Sequence, residues 1–155
     1  MKIPNTSAAI NRAIAEILGF RYERHGSMSA TWHVPGCDRS GFLTPCTLVT
    51  GEWLKCSFPE PDFLTDWSAT GLLQMRPEFS QVDKFEPGDD WEDADRRCSA
   101  GGHFGGKAFY GVMFCSEPGH SNGTHDTVYV EDVDQQRAIC LGFLKAHGVG
   151  VEDAQ

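Results

Sequence analysis

Positive charge is in short supply in this sequence. Lys and Arg number 13 against 22 Asp and Glu, a formal charge of −9. Neutralising nucleic-acid phosphates takes clustered Lys and Arg, so this balance argues against wrapping DNA or RNA. It permits the opposite role, an acidic surface that docks on a basic partner. Long apolar runs are missing too; none approaches the ~20 residues of a membrane-spanning helix, and no membrane partner is expected. The stretch Met1-Lys2-Ile3-Pro4-Asn5-Thr6-Ser7 has neither the apolar run nor the small-residue cleavage site of a signal peptide. A cytosolic protein is therefore expected. Cysteine is modest: six residues (Cys37, Cys46, Cys56, Cys98, Cys115, Cys140) in 155, below the ~8–10% of disulfide scaffolds. No Cys-x-x-Cys pair marks a structural zinc knuckle, and in a reducing cytosol the default is free thiols, several of them buried.

What remains is the composition of one globular domain: 155 residues, 40% hydrophobic and 23% charged. That apolar content excludes wholesale disorder. The charge is unevenly spread. Residues 1–50 hold five basic and three acidic side chains, and the remaining residues hold eight and nineteen. The densest patch, Glu86-Pro87-Gly88-Asp89-Asp90-Trp91-Glu92-Asp93-Ala94-Asp95, places six carboxylates in ten positions.

Periodicity predicts three helices. Ile10, Ala13, Ile14, Ile17 and Leu18 make an i, i+3, i+4 stripe behind an N-cap at Thr6 or Ser7, with Gly19 as the left-handed stop. A second helix begins at Thr65 or Asp66 and stops before Pro77. A third starts near Asp132 or Asp134, covers Gln135 to Ala146 and ends at Gly148; its centre is apolar almost all round, so burial is expected. Short strands are predicted at Phe20–Glu23, Ala30–Val34, a segment near Leu48–Phe58, Gln81–Phe85, Ala108–Cys115 and Thr127–Val130. Asn122-Gly123 is a strong hairpin signal. A turn there pairs Cys115 with Val130, placing Phe109, Met113, Cys115, Val128 and Val130 on one face. Tyr110, Val112, Phe114 and Tyr129 then share the other. Both faces are apolar, which predicts helices on both sides of the sheet.

Catalytic motifs are absent or broken. Gly101-Gly102-His103-Phe104-Gly105-Gly106-Lys107-Ala108 nearly matches the phosphate-loop spacing, but Ala108 stands where Ser or Thr holds magnesium. The carboxylates at 89, 93 and 95 fall on calcium-loop positions, yet Ala94 and Ala100 replace the required Gly and Glu. His120 and His125, with Glu117 and Asp126 nearby, offer two imidazoles and a carboxylate but no third ligand fixed by spacing. Cys98, His103 and Asp95 are close in sequence, which carries little weight because triads are spatial, and no nucleophile elbow, zinc-protease helix or dinucleotide fingerprint occurs. No catalytic residue, metal site or cofactor is expected. The acidic run has a non-catalytic use: Trp91 is an aromatic anchor among Glu86, Asp89, Asp90, Glu92, Asp93 and Asp95, whose charges steer toward a basic surface.

Three stretches carry a resemblance. Ala9-Ile10-Asn11-Arg12-Ala13-Ile14-Ala15-Glu16-Ile17-Leu18-Gly19-Phe20, Pro61-Asp62-Phe63-Leu64-Thr65-Asp66-Trp67-Ser68-Ala69 and Arg137-Ala138-Ile139-Cys140-Leu141-Gly142-Phe143-Leu144-Lys145-Ala146, in this order, resemble the phage ABA-sandwich domain family of small phage and prophage proteins. Phe20 stands where members carry Trp, and residues 86–106 have no counterpart. The resemblance implies a three-layer helix/sheet/helix sandwich and brings no catalytic residues. The expectation is one α+β domain with a mostly antiparallel sheet, acting in the bacterial host cytoplasm by non-enzymatic binding to a host protein with a basic surface. Counter-defence inhibition is one form of this. The alternative is capture of a nucleotide signal by Gly101, Gly102, His103, Gly105, Gly106 and Lys107. A weaker one is a metal-dependent enzyme built on His120 and His125.

Overall fold

A computed structural model describes residues 1–25, 29–33, 45–46, 54–55, 61–86, 107–115 and 127–153. The chain starts with a two-residue strand, β1 (Lys2–Ile3), and helix α1 (Ser7–Leu18). Thr6 is the α1 cap, its Oγ1 accepting from the Ala9 N–H at 3.2 Å. Gly19 ends the helix at φ 86°, a left-handed conformation that side chains with a Cβ resist. Two antiparallel pairs follow: β2 (Arg21–His25) with β3 (Ser29–His33), and β4 (Pro45–Cys46) with β5 (Leu54–Lys55). Helix α2 (Trp67–Gln74) is capped by Asp66, whose Oδ1 accepts from Ser68 N at 2.9 Å, and ends at Met75, before Pro77.

Strands β6 (Phe79–Phe85), β7 (Phe109–Cys115) and β8 (Thr127–Asp132) form an antiparallel sheet with β7 in the middle. Helix α3 (Gln135–Ala146) is capped by Asp134, which accepts from Arg137 N at 2.9 Å, and Gly148 at φ 78° turns the chain. The last strand, β9 (Gly150–Val151), pairs in parallel with β1. The described residues form an α+β fold with three helices and mostly antiparallel pairing, as expected from the sequence.

The expected β7–β8 register is corrected by three residues. Cys115 pairs with Thr127 instead of Val130, Phe114 with Val128, and Val112 with Val130. An odd slip exchanges faces. Val128 and Val130 therefore join Val112 and Phe114 beneath α3, while Tyr129 joins Phe109 and Met113 on the opposite face. The observed register keeps the phenol out of the helix-covered core. It also uses Gly111, where a Cβ would sit 2.8 Å from both the Phe85 and Tyr129 rings. The Asn122-Gly123 turn itself lies outside the described residues.

The core lies where α3 meets β7 and β8, with α1 and α2 packed against α3. Ile10, Ile14, Phe63, Leu73, Phe114, Ile139, Phe143 and Leu144 are fully buried there. Gly142 lets α3 approach the sheet, since a Cβ would fall 2.9 Å from the Phe114 ring. Phe114 in turn packs edge-on against Phe143 at 6.1 Å and Phe79 at 5.4 Å between ring centres. A bulge between Phe79 and Gln81 turns Phe79 onto this face. A helix over the opposite face is not among the described elements.

Candidate functional site

Strand pairing fixes the two ends of the segment that holds the acidic run. Phe85 pairs with Phe109, so the chain leaves β6 and re-enters β7 at one end of the sheet. Glu86 and Lys107, both exposed, stand at these two ends. Asp89, Asp90, Trp91, Glu92, Asp93 and Asp95 lie within this connection but outside the described residues, as do Gly101, Gly102, His103, Gly105 and Gly106. The acidic candidate and the glycine candidate therefore belong to one connection. His120 and His125 belong to the connection from β7 to β8, also outside the described residues. That connection leaves from the far end of β7, about 20 Å away for a seven-residue strand.

At the root of the acidic connection Lys84 Nζ meets Glu86 Oε1 at 3.1 Å. Its ammonium also lies 6.0 Å from the Tyr110 ring centre, across the Lys84–Tyr110 strand pair. The hydrogen bond to Glu86, followed by the charges of Tyr110 and Glu86, raises the Lys84 pKa. One cation thus offsets part of the first carboxylate of the run.

Sequence reasoning missed three polar groups that only folding assembles. The first joins the three stretches that carry the family resemblance. Asn11 on α1 donates to Asp62 Oδ1 at 3.2 Å and accepts from Phe63 N at 2.8 Å. Thr65 donates to Asp62 Oδ2, and Leu64 N donates to Asp62 Oδ1 at 3.1 Å. The Phe63 carbonyl accepts from Thr70 Oγ1 at 2.6 Å and from Cys140 Sγ at 3.3 Å. Burial alone would raise the Asp62 pKa, but bonds from Thr65, Asn11 and two backbone N–H groups bring it below the usual value. Burial pushes the Cys140 thiol far up, with the Asp134 and Asp62 charges adding to it. Cys140 is a core hydrogen-bond donor and not a nucleophile.

The second group centres on Glu78, only 2% exposed. Its Oε1 takes Arg76 Nε at 2.9 Å and His147 Nε2 at 3.0 Å, and its carbonyl takes Cys115 N at 2.7 Å. Burial would raise this carboxyl, but Arg76 and His147 more than offset it and the pKa falls. Oε2 is buried with no partner among the described residues. The third is His33, fully buried, with Nε2 2.7 Å from Glu23 Oε2. The imidazole–carboxylate contacts at His147 and His33 have the composition of acid–base pairs, but each is tied into packing. His147 stacks on Phe143 at 4.5 Å between ring centres.

Spacing gives no signal for the Glu78–His147 pair, because 69 residues separate the two. Among the described residues no group of three or more His, Cys, Asp or Glu could hold a metal ion. No described helix is long and apolar enough to cross a membrane. No family model, curated protein or solved structure matches the chain. What the fold itself defines is an α+β protein with a three-stranded antiparallel sheet and a carboxylate-rich connection between two of its strands.

Proposed function

We propose that this chain is a phage-encoded accessory protein that binds a basic surface on a host bacterial protein through its acidic connection, without catalysis, in the host cytoplasm. The observation that carries this reading is the pairing of Phe85 with Phe109, which anchors both ends of the connection containing the six carboxylates and Trp91. Fixed ends reduce the ordering cost of presenting a loop to a partner. Local negative charge accelerates encounter with a basic patch and repels nucleic acid. In a counter-defence role the carboxylates occupy a site meant for phosphates. The family resemblance draws support from contact among its three stretches: Asn11 from the first bonds Asp62 and the Phe63 N–H in the second, and Cys140 from the third bonds the Phe63 carbonyl.

The test replaces Glu86, Asp89, Asp90, Glu92, Asp93 and Asp95 together with Ser. Wild type and variant are then compared in pull-downs from bacterial lysate, identified by mass spectrometry at rising salt. The expected result is a partner held in a salt-sensitive way by wild type and at least about tenfold more weakly by the variant, a loss of about 1.4 kcal/mol. Equal capture with the same salt dependence would remove the acidic connection as the binding site. Thermal stabilisation by a cyclic nucleotide, lost on Lys107→Ala, would shift the assignment to the glycine segment.

A further inference from the structure

The sheet has a second face, turned away from α3. Phe85, Phe109, Met113 and Tyr129 line it, and none of the four belongs to the core shared by the helices. Phe109 is nevertheless fully buried. Its strand partner Phe85, at 5.2 Å between ring centres, can screen only one side of that ring. Helix α3 packs on the other face, with α1 and α2 against α3, so no described helix lies over Phe109. Phe85, Phe109, Cys115, Tyr129 and Glu131 each have a partner beyond the contacts among described residues. The strand register puts all five on this second face.

Two connections join the strands of this sheet, and they differ in what they can place on an apolar surface. Residues 116–126, between β7 and β8, contain no large apolar side chain. Residues 86–106, between β6 and β7, contain Trp91 and Phe104. Both ends of the longer connection stand beside the face, because Phe85 pairs with Phe109. Its sequence also carries the marks of a short helix. Trp91, Ala94 and Cys98 recur at i, i+3 and i+7, carboxylates come first, Arg96 and Arg97 come last, and Gly101-Gly102 follows.

We propose that the second face of the sheet is the docking surface for this connection, seated through Trp91 and Phe104 and running over the face as a helix from Asp89 to Ala100. Chain length closes the path. Such a helix spans about 18 Å, close to the about 20 Å of seven-residue β7. Residues 101–106, when extended, reach about 20 Å, enough to return to Lys107. With 100° per residue, Asp89 and Asp93 fall opposite Trp91, and Asp90 and Glu92 flank them. The rim of the face carries Asp83 and Glu131, so repulsion also turns the carboxylates outward. The use of those carboxylates by a basic partner rests on the function proposed above; the docking itself does not. Trp91 is then the tether that holds the acidic ridge to its own sheet, and the partner meets charge alone.

Fluorine NMR of the full chain labelled with 5-fluorotryptophan tests this, with the Trp91 signal assigned by its loss in Trp91→Phe. The expected Trp91 signal is protected, shifting little between H2O and D2O, and it moves on Met113→Ala or Tyr129→Phe in the second face. Trp91→Ala lowers the thermal midpoint by about 5 °C or more. A Trp91 signal with the solvent shift of an exposed indole, together with a wild-type midpoint in Trp91→Ala, overturns the proposal. So does a response to Met113→Ala and Tyr129→Phe in the Trp53 signal and not in that of Trp91, which would assign the cover to the chain around Trp53. Failure of the six-Ser variant to alter partner capture would count against the proposed function and leave this docking standing, since the Trp91 signal reads it without a partner.

Discussion

Asn11 sits on the buried side of α1, and its amide accounts for a polar group at that position. It uses one end on Asp62 and the other on the Phe63 N–H, so neither is left unpaired. Replacing Asn11 by Ala strands the buried N–H and removes a donor from the carboxylate. Asn11→Ala is expected to cost about 1–3 kcal/mol in urea unfolding, the range for an orphaned buried group. A change below about 0.5 kcal/mol, the size of an ordinary surface substitution, would contradict the structural role given to this side chain. The sequence held Asn11 and Asp62 in plain view, each inside a recognisable stretch. It could not show that they touch, because 51 residues separate them. The same holds for Glu78 and His147.

At the scale of elements, the helices were legible and the strand register was not. Thr6, Asp66 and Asp134 cap their helices from within one residue, and Gly19 and Gly148 turn the chain at the ends expected. These signals are local, so a local reading finds them. Register depends on which side chains the core accepts. Val112, Phe114 and Val128 facing α3, with Gly111 under Tyr129, decided it against the Asn122-Gly123 centring. The close approach of α3 carries its own prediction. Gly142→Val adds a branched side chain where even a Cβ lies 2.9 Å from Phe114. A loss of about 1–3 kcal/mol, or more if the helix shifts, is expected from overpacking. Wild-type thermal stability in this variant would show that α3 does not rest on the sheet through Gly142.

For the molecule as a whole, acidity acts on stability. Asp62 and Glu78 have folded pKa values below their ordinary values of 3.8 and 4.5. Each therefore contributes stability that is fully present above the ordinary value and is lost as pH falls through the folded one. Chemical denaturation should give similar contributions from this pair at pH 7 and pH 5.5, then a decline below about pH 4.5. The double variant Asp62→Asn/Glu78→Gln should start less stable at pH 7 and show a shallower decline. An identical acid slope in the two proteins would assign acid unfolding to other carboxylates.

Taken alone, the sequence determined the α+β class, the three helices with their caps, and the position of most strands. It also showed that six carboxylates crowd one segment of a chain with few cations. Each of these follows from periodicity, capping chemistry or composition, which act over a few residues. Tertiary structure decided the parallel closure of β1 on β9, the face each β8 residue presents, and the burial of Glu78 and His33. It also paired Phe85 with Phe109, which brings the two ends of the 86–106 segment together. The physical reason is contact between residues distant in the chain. Two-residue strands have no period to read, and a buried carboxylate is defined by partners that arrive only when the helices close on the sheet.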